Sequence, residues 1–172
     1  LVKILAGLEK SYSDIKIFDK PLNKKNLYKI RKEIGFVFDT PDNYFACETV
    51  EDELAFSLEN LAVAPKTIKM KIDEISKKLR IENLLKENPY DLSGGEKQKV
   101  ALACALMLEP RILILDEALL MIDINERRKI LKLLKEYNTK KGVTIISFTH
   151  DLDEAVYSDR LIILNKGVIV VD

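Results

Sequence analysis

The sequence predicts an α/β fold: a mainly parallel sheet flanked by helices, with an inserted all-helical subdomain. Two observations predict this fold class. From Ser93 onwards, helical and strand patterns alternate, and such alternation is typical of parallel strands joined by right-handed crossovers. Between about residues 45 and 92, only helical patterns occur. The chain has 172 residues, of which 47% are hydrophobic and 33% charged, as expected for one globular domain.

Apolar periodicity and turn residues define the elements of the first half. Thr49 is the expected N-cap of the first helix in the helical block, and Pro65 ends that helix. The predicted elements are a helix over 1–8 that is closed by Gly7, a strand over 14–18, a helix over 24–31, a strand over 34–38, and helices over 50–61, 66–79 and 81–86.

The second half repeats a helix–strand order after Asn88-Pro89. Its predicted elements are helices over 94–108, 125–140 and 152–157, and strands over 112–115, 143–148, 161–164 and 168–171. We therefore interpret residues 1–172 as one domain. Its core comprises residues 1–44 and 93–172, and its helical subdomain comprises about 45–92.

Charge and apolar content argue against several classes of protein. The 28 Lys and Arg residues balance the 28 Asp and Glu residues, so we expect no nucleic-acid partner. The longest apolar run, 100–108, is too short to span a bilayer. Cys47 and Cys104 form no metal-type spacing, and Cys104 is expected to be a buried free thiol. Since no signal peptide opens the chain, we expect the cytosol, with any membrane association through a partner.

Polar side chains follow three of the predicted buried strands. Asp39 follows the first of them, Asp116 and Glu117 follow the next, and His150, the only histidine, follows the last. A single polar strand end is common wherever a chain exits to solvent. Ligands of parallel sheets bind at the carboxyl ends of strands, so three such ends together favour a site. Asp116 has the chemistry to bind Mg²⁺, and Glu117 to orient and deprotonate a water molecule.

The segment 92–103 predicts an anion site at the start of a helix. Ser93 and Glu96 have the spacing of a capping box, which by itself is a structural feature. A capping box needs no glycines, however, and Gly94 and Gly95 remove side chains from the first turn. Free backbone N–H groups and the helix dipole then attract an anion such as a phosphate.

These motifs resemble those of the ATP-binding cassette (ABC) ATPases. Leu92-Ser-Gly-Gly-Glu96 resembles the signature motif, and Ile112-Leu-Ile-Leu-Asp-Glu117 resembles the Walker B motif. Asp123 matches the aspartate of the D-loop, and His150 matches the switch histidine. The resemblance covers essentially the whole chain.

The resemblance implies a P-loop NTPase-like fold, ATP and Mg²⁺ as cofactors, and ATPase activity in the intact protein. It implies that Glu117 and His150 are catalytic and that Asp116 and Asp39 hold Mg²⁺. Because ATP lies between two subunits in this family, it also implies a second ABC ATPase subunit, in a homodimer or a heterodimer. The residues implied to bind ATP are Ser93, Gly94, Gly95, Glu96, Asp123 and Asp39.

Three features depart from the pattern of the family. The Walker A loop, G-x-x-x-x-G-K-[ST], does not occur, and Leu1 corresponds to the residue that follows it. We therefore expect the N-terminal part of the domain to lie upstream, and residues 1–172 alone to bind ATP weakly and hydrolyse none. Asp39 stands where the family has the Q-loop glutamine, and Ala118 replaces the usual proline after Glu117.

Segments 38–45 and 49–56 resemble the ATPases of energy-coupling factor transporters and their cobalt and nickel relatives, which import vitamins and transition metal ions. The resemblance implies an importer subunit that binds integral membrane subunits at the cytoplasmic face of the cell membrane. Tyr44, Phe45 and helix 50–61 would face those subunits, or pack in the core. Two alternatives remain open: a catalytically weak partner subunit that supplies its signature motif to another ATPase, and a soluble ABC ATPase without a transport role.

Overall fold

Helices and strands alternate through this computed structural model, which describes residues 1–9, 14–41 and 45–172. The elements are α1 (Val2–Leu5), β1 (Lys16–Ile17), β2 (Lys20–Pro21), α2 (Lys24–Arg31), β3 (Ile34–Val37), α3 (Val50–Glu59), α4 (Pro65–Leu79), α5 (Gly94–Met107), β4 (Ile112–Asp116), α6 (Ile124–Lys141), β5 (Thr144–Phe148), α7 (Leu152–Ala155), β6 (Ile163–Asn165) and β7 (Val168–Val171).

The central sheet is parallel and has the strand order β3–β4–β5. Alternate residues of β4 pack on opposite faces, as the period of a strand requires. Leu113 and Leu115 belong to the larger core with α5, whereas Ile114 packs with Val2 and Ile30 on the other face. Because both faces are covered by helices, these strands are almost continuously apolar. The predicted fold class, a mainly parallel α/β domain, is confirmed.

The insertion between β3 and α5 is helical, as predicted. Within 45–92, which the structure describes throughout, helices α3 and α4 are followed by two 3₁₀ turns and no strand. The Thr49 side chain caps α3 by accepting a hydrogen bond from the Asp52 N–H at 3.1 Å. Leu54 of α3 and Ile72 of α4 share one core with Leu102 of α5. The helices therefore pack directly on the helix that begins with the signature-like segment.

The helix predicted over 81–86 is wrong, because only a 3₁₀ turn, Glu82–Leu84, forms there. Arg80 has a left-handed backbone (φ 56°) that ends α4, and the Ile81 N–H bonds back to the Ser76 carbonyl. Ile81 and Leu84 are buried. Their helix-like spacing therefore serves packing against α4 rather than another helix.

Two short hairpins lie outside the central sheet; the turn at Gly167 was predicted, whereas the hairpin after Ile17 was not. The strand expected over 14–18 is only Lys16–Ile17, because Phe18 and Asp19 both have positive φ and form a turn to β2. Lys166 and Gly167 form a similar turn between β6 and β7. Two central residues with positive φ are the favoured connection of two-residue hairpins. The β6–β7 pair is antiparallel, does not join the central sheet, and is exposed along its length.

Cys104 is a free thiol, as predicted, but it is only partly buried; Cys47 is free as well. Cys104 packs against the larger core, and burial raises the pKa of its thiol. No helix in the described part of the chain is long and apolar enough to cross a bilayer.

Candidate functional site

The carboxyl ends of β3, β4 and β5 meet at one edge of the sheet. The parallel register places Asp116, the last residue of β4, beside Phe148 at the end of β5. The ladder continues one residue further, since the Glu117 N–H donates to the Phe148 carbonyl at 2.9 Å. Asp39 follows β3 at the same edge and raises the pKa of Asp116. The structure thus brings the predicted strand-end groups together.

Two other carboxylates, those of Asp39 and Glu117, lie close enough to Asp116 to affect its ionisation. Burial is the main cause that raises the pKa of its carboxyl group, followed by the charges of Asp39 and Glu117. A divalent cation would relieve this repulsion, because it favours the ionised forms of all three groups. In the described residues, no group of three or more His, Cys, Asp or Glu side chains is arranged to hold a metal ion. A cation bound by Asp116 and Asp39 therefore needs further oxygen ligands, which water and phosphate supply at Mg²⁺ sites.

The Glu117 carboxylate has one engaged oxygen and one free oxygen. Oε1 lies 2.7 Å from Nδ1 of His150. Oε2 is buried and has no hydrogen-bond partner. Buried polar atoms are nearly always satisfied, so this oxygen is placed to accept a bond from a molecule at the edge of the sheet. The backbone is unusual too, with a positive φ of 50°, and such strain in non-glycine residues is concentrated at functional sites.

His150 holds Glu117 from an exposed position. Its side chain is 74% exposed, against 27% for Glu117. The hydrogen bond to Glu117 is the main cause that raises the pKa of His150, and the charge of Glu117 adds to it. A protonated His150 donates to Glu117 through Nδ1 and presents Nε2–H as a second donor to an anion.

The first turn of α5 has the predicted capping box. The Glu96 N–H bonds to the Ser93 hydroxyl oxygen at 3.5 Å, and Glu96 Oε2 accepts from the Ser93 N–H at 3.0 Å. The Ser93 hydroxyl also donates to that carboxylate at 2.6 Å. These bonds lower the pKa of Glu96. Ser93 itself is exposed, so its hydroxyl is accessible to a ligand.

Gly94 and Gly95 have a packing role that the sequence did not reveal. A Cβ on Gly94 would lie 2.5 Å from Sδ of Met121, and a Cβ on Gly95 would lie 2.7 Å from the Met121 carbonyl oxygen. The glycines therefore allow α5 to approach the segment after Glu117. The glycine pair is therefore required for close packing of α5 on this segment, in addition to the access for an anion that the sequence suggested.

Asp123, the D-loop aspartate of the resemblance, is the N-cap of α6. Its Oδ1 accepts hydrogen bonds from the N–H groups of Asn125 at 3.0 Å and Glu126 at 3.1 Å. The segment 118–122 therefore runs from Glu117 to a fixed helix start.

Two residues that hold this segment escaped the sequence analysis. Gln98 is 1% exposed and bonds to backbone groups of Glu117 and Met121. Arg127 donates to the carbonyl groups of Leu120 at 3.1 Å and Ile122 at 3.2 Å. One signal was present for Gln98: it is a polar residue four positions before the apolar Leu102, on the buried face of α5.

The surface predicted to face membrane subunits is only partly exposed. Tyr44 lies outside the described residues. Phe45 is buried, and its carbonyl accepts a hydrogen bond from the Tyr90 hydroxyl at 2.6 Å. On α3, Leu54 and Leu58 belong to the core, whereas Phe56 is 46% exposed.

Comparison with known proteins places this geometry in a family. Residues 1–120 match the sequence profile of the family described as ABC transporter. The chain is 41% identical over 171 residues to the energy-coupling factor transporter ATP-binding protein EcfA1 of Mycoplasma mobile. It is 41% identical over 170 residues to the protein of the same name from Staphylococcus epidermidis. These matches cover 99% and 98% of the chain, and 62% and 63% of the relatives. The chain thus spans less than two thirds of their length.

Solved structures show the same fold. The dimeric bacterial ABC transporter cassette MJ0796 superposes with a TM-score of 0.90 at 29% identity, over 98% of this chain and 76% of that one. The protein cbiO1 of Clostridium perfringens, part of the ABC transporter complex cbiONQ, superposes with a TM-score of 0.85 at 33% identity, over 99% and 69%. Sequence profile, fold and the grouped strand-end residues agree: the chain belongs to the ABC transporter family.

Proposed function

We propose that the protein binds and hydrolyses ATP at this edge of the sheet, with Glu117 as the general base. The observation that carries the proposal is the buried, unpartnered Oε2 of Glu117, next to an Oε1 that His150 holds at 2.7 Å. Oε2 accepts a hydrogen bond from the attacking water and then its proton. His150 fixes the carboxylate and offers its other ring nitrogen to the γ-phosphate.

Mg²⁺ fits beside this base. Asp116 and Asp39 supply the carboxylate oxygens, and their mutual repulsion is the feature of the structure that a cation removes. When bound, Mg²⁺ neutralises charge that develops on the phosphates. The protein's own contribution is to hold Asp116 at the end of β4, one residue before the base.

We propose that a second ABC ATPase subunit completes the site, in a homodimer or heterodimer. Ser93, Gly94, Gly95 and Glu96 would then act on the ATP held by that subunit, and Asp123 would lie at the interface. The support is the exposed Ser93 hydroxyl at a helix start, together with the similarity to the dimeric cassette MJ0796 bound to ADP and Pi.

The proposed role is to power an importer of the energy-coupling factor type, at the cytoplasmic face of the membrane and bound to integral membrane subunits. The names of the relatives support this role, and so does the similarity to a component of the cbiONQ complex. The cargo class proposed from the resemblance is a vitamin or a transition metal ion. Purification of the full-length protein from membranes with its bound subunits tests this role, and recovery without any membrane protein would contradict it.

A second candidate function is that of a catalytically weak subunit that supplies its signature motif to a more active ATPase subunit. The observation that favours it is Asp39, a charged and shorter group at the position of the Q-loop glutamine. Turnover of the full-length protein, measured alone and with its partner ATPase subunit, separates the two. Activity that depends entirely on the partner's own Walker B glutamate supports the weak subunit.

Glu117→Gln in the full-length protein tests the main proposal. The change keeps size and hydrogen bonding but removes the base, and general-base catalysis contributes about 10²–10⁴-fold to a rate. We expect turnover to fall by that order while ATP still binds and a stable dimer accumulates, as measured by phosphate release and gel filtration. Glu136→Gln, on the exposed surface of α6, is the control. Unchanged turnover in Glu117→Gln would refute the assignment.

A further inference from the structure

A buried glutamine connects the signature segment to the residue proposed as the base. Gln98 lies on α5, just after the capping box, and is 1% exposed. Its Oε1 accepts a hydrogen bond from the Met121 N–H at 2.9 Å, and its Nε2 donates to the Glu117 carbonyl oxygen at 3.4 Å. Both partners are backbone groups of the segment that begins at Glu117. The two hydrogen bonds of Gln98 therefore depend on where the backbone of this segment lies, and not on the side chains of the segment.

The contact between α5 and this segment is close as well as hydrogen-bonded. A Cβ on Gly95 would lie only 2.7 Å from the Met121 carbonyl oxygen. Gln98 and Gly95 thus both lie against the backbone of Met121. A movement of the start of α5 is transmitted to Met121 because packed backbones do not deform independently.

The other side of the segment is anchored separately. Arg127 of α6 bonds to the carbonyl groups of Leu120 and Ile122 and forms an ion pair with Asp151, the neighbour of His150. The side chain of Arg127 is 15% exposed. Removal of the Gln98 amide would therefore remove two hydrogen bonds between the segment and α5, while the segment stays bonded to α6 and packed against Gly94 and Gly95.

We propose that Gln98 is a positioning residue that couples the signature motif of this chain to its own base, Glu117. The inference rests on the proposed function, in which Ser93 acts on the ATP of one site and Glu117 on the ATP of the other. Closure of the signature on the partner's nucleotide would then set the backbone of Glu117 through Gln98. The two nucleotide sites of the dimer would be linked through the inside of one subunit.

Gln98→Met in the full-length protein, assembled with its partner ATPase subunit, tests the proposal. Methionine has nearly the same length but cannot form either hydrogen bond. We expect kcat for ATP to fall at least about tenfold, within the roughly 10²-fold that a 1 Å misplacement causes, with KM changed less than about twofold. In the Glu117→Gln background, Gln98→Met should still form the ATP-bound dimer, because the signature itself is intact.

Two further variants separate positioning from general stability. In Gln98→Glu, the new side chain can form both bonds when its carboxyl group is protonated. The turnover of this variant relative to wild type at the same pH should therefore exceed that of Gln98→Met and rise as the pH falls. Leu106→Ala, a buried position of α5 away from Glu117, should lower the melting temperature without lowering kcat of the folded protein. Wild-type kcat in Gln98→Met would overturn the proposal, as would equal losses in Gln98→Met and Leu106→Ala. If Glu117→Gln retains turnover, the proposed function fails instead.

Discussion

At the scale of single residues, the pair of Glu117 and His150 predicts how stability changes with pH. The hydrogen bond to Glu117 raises the pKa of His150 above its ordinary value of 6.5 in the folded state. Folding therefore favours the protonated form. The pair stabilises the fold fully below pH 6.5, and this stabilisation is lost as the pH rises through the raised folded-state pKa.

His150→Ala tests this dependence. In urea titrations of the nucleotide-free protein, we expect the difference in free energy of unfolding between wild type and His150→Ala to shrink as the pH rises above 6.5. The variant should also hydrolyse ATP more slowly, because Glu117 loses its partner. A difference that stays constant with pH would show that the ion pair does not form.

The sequence predicted the residues at the strand ends better than it predicted their bonds. Parallel strands bring their carboxyl ends together, so the grouping of Asp39, Asp116, Glu117 and His150 followed from the order of elements. The unpartnered Oε2 of Glu117 and the hydrogen bonds of Gln98 could not be predicted from that order. They depend on side-chain directions between segments far apart in the chain, which local pattern does not encode.

At the scale of elements, the two glycines that open α5 should differ in their tolerance of a side chain. A Cβ on Gly94 meets the flexible end of Met121, whereas a Cβ on Gly95 meets a backbone carbonyl at 2.7 Å. We expect Gly95→Ala to be less stable than Gly94→Ala by about 1–3 kcal/mol, the usual cost of overpacking. Chemical denaturation of both variants measures the difference, and equal stabilities would contradict the close approach.

Element types were predicted well and element ends less well. The apolar patterns predicted α2, α4, α5, α6 and the three central strands almost to the residue. Several differences occur at Phe18, Asp19 and Arg80, and also at Ala62, since α3 ends at Glu59 and Pro65 begins α4 instead of ending α3; the backbone of these four residues has positive φ without a glycine to signal it. At these places tertiary packing overrides local preference, and no turn residue marks the change.

At the scale of the whole molecule, one continuous core joins the helical insertion, α5 and the sheet. Ser93 lies at the surface of this body, so a large charged side chain there should block a docking partner, although it also removes the N-cap of α5. We expect Ser93→Arg in the full-length protein to abolish turnover that depends on the dimer, while the affinity of the monomer for nucleotide stays nearly unchanged. Loss of affinity with retained turnover would show that Ser93 acts within its own subunit.

The left-handed backbone of Glu117 lowers the thermodynamic stability of the fold at the position of the proposed base. A non-glycine residue in this conformation costs roughly 1–3 kcal/mol, which a glycine would largely avoid. At ordinary helix positions such as Lys132, glycine is less stable than alanine by about 0.5–1 kcal/mol. At position 117 the order should reverse, with Glu117→Gly melting no lower than Glu117→Ala. Backbone strain alone would therefore favour glycine at this position, and the carboxylate is accounted for by the proposed function instead.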